Sequence, residues 1–208
     1  MVSKSKHIIL ASFTIFLLLG CASFKTKLPM DQSSVEPGSA VTFRGEQLKL
    51  IGTPLSVGKP LPSARLVDAM TMKEVDLSQE RGSVLFLSIV VSVDTPVCEE
   101  QTHYLSDEGK KLPEEIKRIT ISRDTPFAQK RFAKEAKLTE ISYLSDYKEG
   151  DFGRATGILI DKMMLLARSV ILVDKKGIVR YIQVVSEITH FPDMDRAFQK
   201  AIELSKEP

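Results

Sequence analysis

Beyond its first 21 residues the 208-residue chain has a single cysteine, Cys98, within Ser92-Val93-Asp94-Thr95-Pro96-Val97-Cys98-Glu99-Glu100. The residues before it, Val84 to Val91, form a β-favouring apolar run, and those after it read as a helix. A thiol at that hand-over falls in the first helical turn. Unpaired backbone N–H groups and the positive end of the helix dipole favour an anionic sulfur there. A thiolate is the nucleophilic form of cysteine, so the position suits redox chemistry. Thr95, three residues earlier, offers a hydroxyl toward the same point, and Pro96 stiffens the turn without leaving an N–H unpaired. The same residues admit a plainer reading. A free cysteine is often a small buried hydrophobe. Glu99 and Glu100 oppose a nearby anion, yet suit the first turn of any helix.

The other cysteine, Cys21, has a different setting. Lys4 and Lys6 precede an apolar run, Ile8 to Leu19, broken only by Ser12 and Thr14. That run is too short for a membrane-spanning helix and suits an export signal. It ends Leu18-Leu19-Gly20-Cys21, which resembles a bacterial lipobox, in which cleavage before the cysteine frees it for acylation. The expected organisation is a signal peptide at 1–20, a lipidated tether at 21–40 and one domain at 41–208. As a flexible coil the tether spans about 20–25 Å. The domain is then expected in the cell envelope, anchored through lipid to the exported side of a bacterial membrane. With Cys21 acylated, Cys98 has no partner in its own chain, which is unusual for an exported protein.

The net charge of +2 comes from 29 basic and 27 acidic residues, and Lys4 and Lys6 account for the surplus. The balanced remainder lacks the basic stripe of a nucleic-acid binder. His103 and His190 stand outside any ligand spacing, so no metal is expected, nor any cofactor.

The elements that must position Cys98 follow from periodicity. Val41–Gly52 alternates around Gly45-Glu46, a hairpin with Gly45 first in its turn. Val84–Val91 reads as a strand buried on both faces. A helix follows Cys98 to about Lys111. Ile116–Ser122 is a strand. Asp124 or Thr125 caps a helix whose Ala128, Phe132 and Ala136 share a face. Ile141–Asp146 is a strand and Asp151–Ile158 a short helical turn. Two strands flank the tight turn Asp174-Lys175-Lys176-Gly177. A final helix puts Met194, Phe198 and Ile202 on one side. The order predicts an α/β fold, a mixed central sheet flanked by helices with an N-terminal β-hairpin, compatible with a thioredoxin-like fold.

The stretches DTPVCEEQT, TPFAQKRF, SYLSD, DFG, LLARSVILVD and EIT followed by PD, in that order, resemble the bacterial thiol peroxidases of the atypical two-cysteine peroxiredoxin group. The resemblance runs from about Val41 to the C-terminus. It implies a thioredoxin fold, a homodimer, Cys98 as peroxidatic cysteine and Thr95 as the hydroxyl of Thr-x-x-Cys. It also implies Arg168 as the arginine that stabilises the thiolate and orients the peroxide.

Two departures stand out. The family carries proline seven residues before the cysteine, where this chain has Val91. Its resolving cysteine follows Lys-Arg-Phe, where this chain has Ala133. The expected activity is reduction of hydrogen peroxide or small alkyl hydroperoxides through a Cys98 sulfenic acid. An external thiol or thioredoxin-like reductant would complete this one-cysteine cycle. The alternative is a catalytically degenerate envelope lipoprotein that keeps the fold as a binding module. A disulfide exchanger is disfavoured, because the chain has no Cys-x-x-Cys.

Overall fold

The computed structural model describes residues 29–138 and 140–208. The expected signal peptide and lipidation site Cys21 lie outside them. A short strand β1 (Met30–Asp31) precedes a hairpin of β2 (Ala40–Phe43) and β3 (Glu46–Ile51). Then come β4 (Leu66–Asp68), β5 (Glu74–Val75), β6 (Val84–Ile89), α1 (Pro96–Asp107), β7 (Ile116–Ser122) and α2 (Pro126–Glu135). The chain continues with β8 (Ser142–Ser145), α3 (Asp151–Thr156), β9 (Leu159–Ile160), β10 (Ser169–Val173) and β11 (Val179–Val184). It closes with β12 (Phe191–Pro192) and α4 (Met194–Ser205).

The main sheet has seven strands in the order β11-β10-β6-β7-β8-β4-β5. β6, β7 and β8 run parallel, and antiparallel strands flank them. Every residue of β6 is buried, as suits a central strand whose apolar run is interrupted only by Ser88. Ser88 pairs with Thr120, and Thr120 with Tyr143, so these side chains share a face. Three helices cover that face. Gln101 of α1 reaches Ser88, Phe198 of α4 packs 5.0 Å from Phe86, and Phe132 of α2 packs edge-on to Tyr143. Each such ring, fully buried, contributes about 1.5–3 kcal/mol. The architecture is the expected thioredoxin-like one, a mixed sheet flanked by helices. A second sheet, β2-β3-β9, carries the N-terminal hairpin.

Three local readings change. The hairpin pairs Phe43 with Glu46, so Arg44 and Gly45 are its two turn residues. Their φ values of 51° and 84° make the turn type I′, which needs positive φ at both positions and matches the strand twist. The buried stripe of α2 is Pro126, Gln129, Phe132 and Ala133 rather than Ala128, Phe132 and Ala136. The helix is rotated inward because the Gln129 amide donates to Ser122 Oγ and to the Leu144 carbonyl.

The third concerns the tether, expected to run free to Ala40. From Met30 onward it is bound to the domain. β1 pairs with β12, the Asp31 carboxylate accepts from the Ser186 N–H and hydroxyl, and the Val35 N–H donates to the Val184 carbonyl at 2.9 Å. The serines that read as linker are partners here: Ser34 Oγ accepts from Val184 N–H.

Candidate active site

The chain leaves β6 through Val90 and Val91, turns at Ser92–Asp94 and enters α1 at Pro96. Thr95 is the N-cap and is extended, as a residue before proline must be. Cys98 is therefore the third residue of the helix. Its side chain is fully buried, and it is the one cysteine among the described residues, unbridged. Two donors face its sulfur. Arg168 Nη2 lies 3.3 Å away, and the Ser92 N–H donates at 3.5 Å. A cation and an amide hydrogen converging on one sulfur form a donor pair that would hold a developing anion on a reacting oxygen.

Arg168 is only 2% exposed, and each of the three nitrogens of its planar fork makes one hydrogen bond. Nε donates to the Ile188 carbonyl at 2.9 Å and Nη1 to Gln101 Oε1 at 2.7 Å, which leaves Nη2 for the sulfur. Gln101 is oriented in turn by its amide donating to Ser88 Oγ at 2.8 Å. Gln101 lies one turn beyond Cys98, so α1 presents both the thiol and the group that aims the arginine.

A second set of contacts fixes the loop. Asp124, at the end of β7, accepts from Ser92 Oγ (2.8 Å), from the Val93 N–H (2.8 Å) and from Ser122 Oγ (2.6 Å). The Ser92 amide is thereby held against the sulfur. On the far side of Arg168, the loop 186–190 that offers the Ile188 carbonyl is held by two carboxylates. Burial pushes Glu187 up. Hydrogen bonds from the Thr189 hydroxyl, the hairpin turn backbone and Thr42 outweigh it and hold the carboxyl at about 2. Asp31 is treated the same way: burial raises it, but Ser186 and Ser33 donate and bring it to about 2.

The residues read from the sequence fare differently. Cys98 and Arg168, 70 positions apart, meet directly. Thr95 sits at the head of the helix, but its hydroxyl donates to the Ser92 carbonyl at 3.2 Å instead of to the sulfur. Val91 and Ala133 are both buried. Gln101 escaped the sequence reading, and Asp124 was expected only as an alternative helix cap, a place that Thr125 takes. Gln101 has a local signal, a polar residue three positions after the thiol. Asp124 has one too, since it opens a second Asp-Thr-Pro like the one before Cys98.

Comparison with known proteins adds to this geometry. A family model described as Redoxin matches residues 56–198. A thiol peroxidase of Halalkalibacterium halodurans is 36% identical over 163 residues, spanning 78% of this chain and 97% of its own. The crystal structure of a peroxiredoxin-like protein from Aquifex aeolicus aligns with a TM-score of 0.74 and 34% identity, covering 79% of this chain and 96% of that one. A thiol peroxidase from Chromobacterium violaceum aligns with a TM-score of 0.68 and 25% identity, covering 81% and 98%.

Proposed function

The chain belongs to the bacterial thiol peroxidase family of redoxins and is a peroxiredoxin-type oxidoreductase, and from that premise we propose that Cys98 is its peroxidatic cysteine, working without a resolving partner in its own chain. The observation that carries this is the Arg168 Nη2 to Cys98 Sγ contact of 3.3 Å, with the Ser92 N–H on the same sulfur.

The thiolate attacks the terminal oxygen of R–O–O–H. An S–O bond forms and the O–O bond breaks. Sulfur loses two electrons, the peroxide gains them, and RO⁻ leaves to take a proton from water. Arg168 stabilises the thiolate beforehand and the departing oxygen afterwards. Thr95, at the mouth of the helix, is the hydroxyl that turns from the Ser92 carbonyl toward the bound peroxide. Because the thiol is fully buried, access requires the Ser92–Val97 segment to shift, and Asp124 sets how readily it does.

For the product, Cys98–SOH, this chain has Ala133 at the place of the family's resolving cysteine. An external thiol therefore condenses with the sulfenic acid, releasing water and leaving a mixed disulfide. A second external thiol then returns Cys98 to the reduced state. Hydrogen peroxide and small alkyl hydroperoxides are the proposed substrates, and a thioredoxin-like protein or a small thiol is the reductant. The protein acts as a homodimer, held at the exported side of the cell envelope by acylation of Cys21.

Mixing the protein with sub-stoichiometric peroxide tests this. The expected result is rapid loss of one thiol and an intact mass increased by one oxygen on Cys98, with no disulfide until an external thiol is added. A thiol that reacts no faster than free cysteine would leave the fold as a binding module and sink the proposal.

A further inference from the structure

We propose that the tip of the β2–β3 hairpin and the neighbouring Asp161–Met164 turn form a bilayer-docking face, which seats the Cys98 end of the domain against the membrane. The inference rests on the reading of Cys21 as a lipid anchor.

Reach comes first. Eight residues, Ala22 to Pro29, separate Cys21 from β1. In any conformation they span at most about 30 Å. A domain of this size has a radius of gyration of about 16 Å, so it is wider than its tether is long. The end from which the tether leaves is therefore the end held at the lipid.

That end is the reactive one. The Pro29 carbonyl accepts from the Phe191 N–H at 2.7 Å. Three residues earlier, the Ile188 carbonyl holds Arg168, while the Ile188 N–H donates to the Thr42 carbonyl at 2.9 Å. One short loop thus joins the tether exit, the hairpin and the arginine on the sulfur.

The exposed chemistry there suits a headgroup boundary. Phe43 is 36% exposed, with the Arg44 guanidinium 5.3 Å from its ring centroid. Met163, 38% exposed, stands on a turn whose Lys162 and Met164 both have positive φ. Phe43 and Met163 line one cleft of about 540 Å³, rimmed by Lys49 and Lys162. An aromatic ring and a thioether entering the acyl boundary, with Arg and Lys heads left at the phosphates, is how interfacial segments bind. Glu46 and Asp161 share the cleft and offset two of the cations. Apolar insertion rather than net charge then drives the docking, and neutral phosphatidylcholine suffices.

The chain has no tryptophan, so a single one reports cleanly. Full-length lipidated Phe43→Trp protein is bound to phosphatidylcholine vesicles with brominated acyl chains. Val57→Trp is the control. Val57 is 58% exposed, and its neighbour Gly58 bonds Val179, at the end of the β10–β11 hairpin away from Arg168. The expected result is blue-shifted Phe43→Trp emission, quenched at least about threefold more than Val57→Trp, as burial at the acyl boundary demands. Equal quenching at the two sites overturns the inference. So does a blue shift already complete without vesicles, which would mean a second copy covers the face. Failure to float with vesicles would remove the anchor and this inference with it. Loss of peroxide reduction with quenching intact would instead defeat only the catalytic reading.

Discussion

Two helices of this molecule begin with the same three residues and end up with opposite properties. Asp94-Thr95-Pro96 opens α1, and Asp124-Thr125-Pro126 opens α2. In α2, Thr125 Oγ1 accepts from the Ala128 N–H at 3.3 Å, so the third helical residue is capped. In α1 the equivalent position is Cys98, and Thr95 makes no side-chain cap. One start is closed by its own threonine. The other is left open, and an arginine and a loop amide converge on the sulfur there. The aspartates differ as well. Asp94 is exposed and pairs with Arg131 at 3.1 Å, whereas Asp124 accepts three hydrogen bonds that fix the Cys98 loop. The same sequence signal serves stability in one helix and reactivity in the other. What separates them is the residue at the third position and the strand each helix follows.

The largest expected effect tests the open start. Arg168→Ala should slow the reaction of Cys98 with hydrogen peroxide by about 10²–10³-fold, the usual cost of a lost charge-stabilising donor, read by stopped-flow thiol loss. A rate within twofold of wild type would mean that the arginine only fills space. Next, Asp124→Ala should cut the peroxide rate about tenfold or more through misplacement of the Ser92 amide. Alkylation of Cys98 by iodoacetamide should speed up in the same variant as the loop opens. Asp94→Ala should change neither, since exposed ion pairs contribute about 0–1 kcal/mol.

The threonines sharpen the contrast. Thr125→Ala should cost about 1 kcal/mol in urea unfolding and leave peroxide reactivity alone. Thr95→Ala should lower reactivity while costing less stability, because its hydroxyl accepts from no helix N–H. If both variants lose stability equally, the difference between the two starts is not real in solution.

The smallest effects lie in the pH profile of stability. Asp31 and Glu187 are held at about 2, below their ordinary 3.8 and 4.5. Their contribution is complete above about pH 4.5 and fades as pH falls toward 2. Asp146 has the opposite sign. Burial raises it to about 6 against the N–H bonds of Gly153 and Phe152, so its ionisation opposes folding and stability falls as pH rises from about 4 to 6. Urea unfolding at pH 4, 5, 6 and 7 should show that decline in the wild-type protein and a flatter profile in Asp146→Asn.

Much of this was legible residue by residue, but unevenly. Ile116–Ser122 and the β10–β11 hairpin declare themselves through apolar runs and turn chemistry, and the structure keeps those bounds closely. The helix after Cys98 is equally plain. The partner of Cys98 is not. Nothing local to Arg168 distinguishes a buried guanidinium from a charge at a strand entrance, and only the family resemblance pointed to it. The choice is made by the β6–β10 pairing, a contact between distant segments. The segment 30–40 misled for a related reason. Serine, proline and glycine read as a linker when their partners, on β11 and the loop before β12, lie some 150 residues away.

That misread segment has a practical consequence. The outer edge of β11 is covered at Val184 by Ser34 and Val35, and at Val179 by Gly58 and Lys59. Trimming the protein to a start at Val41 would uncover one end of that strand, next to the half-buried Tyr181 and Ile182. Bare strand edges recruit other strands. Such a truncated protein should aggregate on concentration, with its catalytic residues all present.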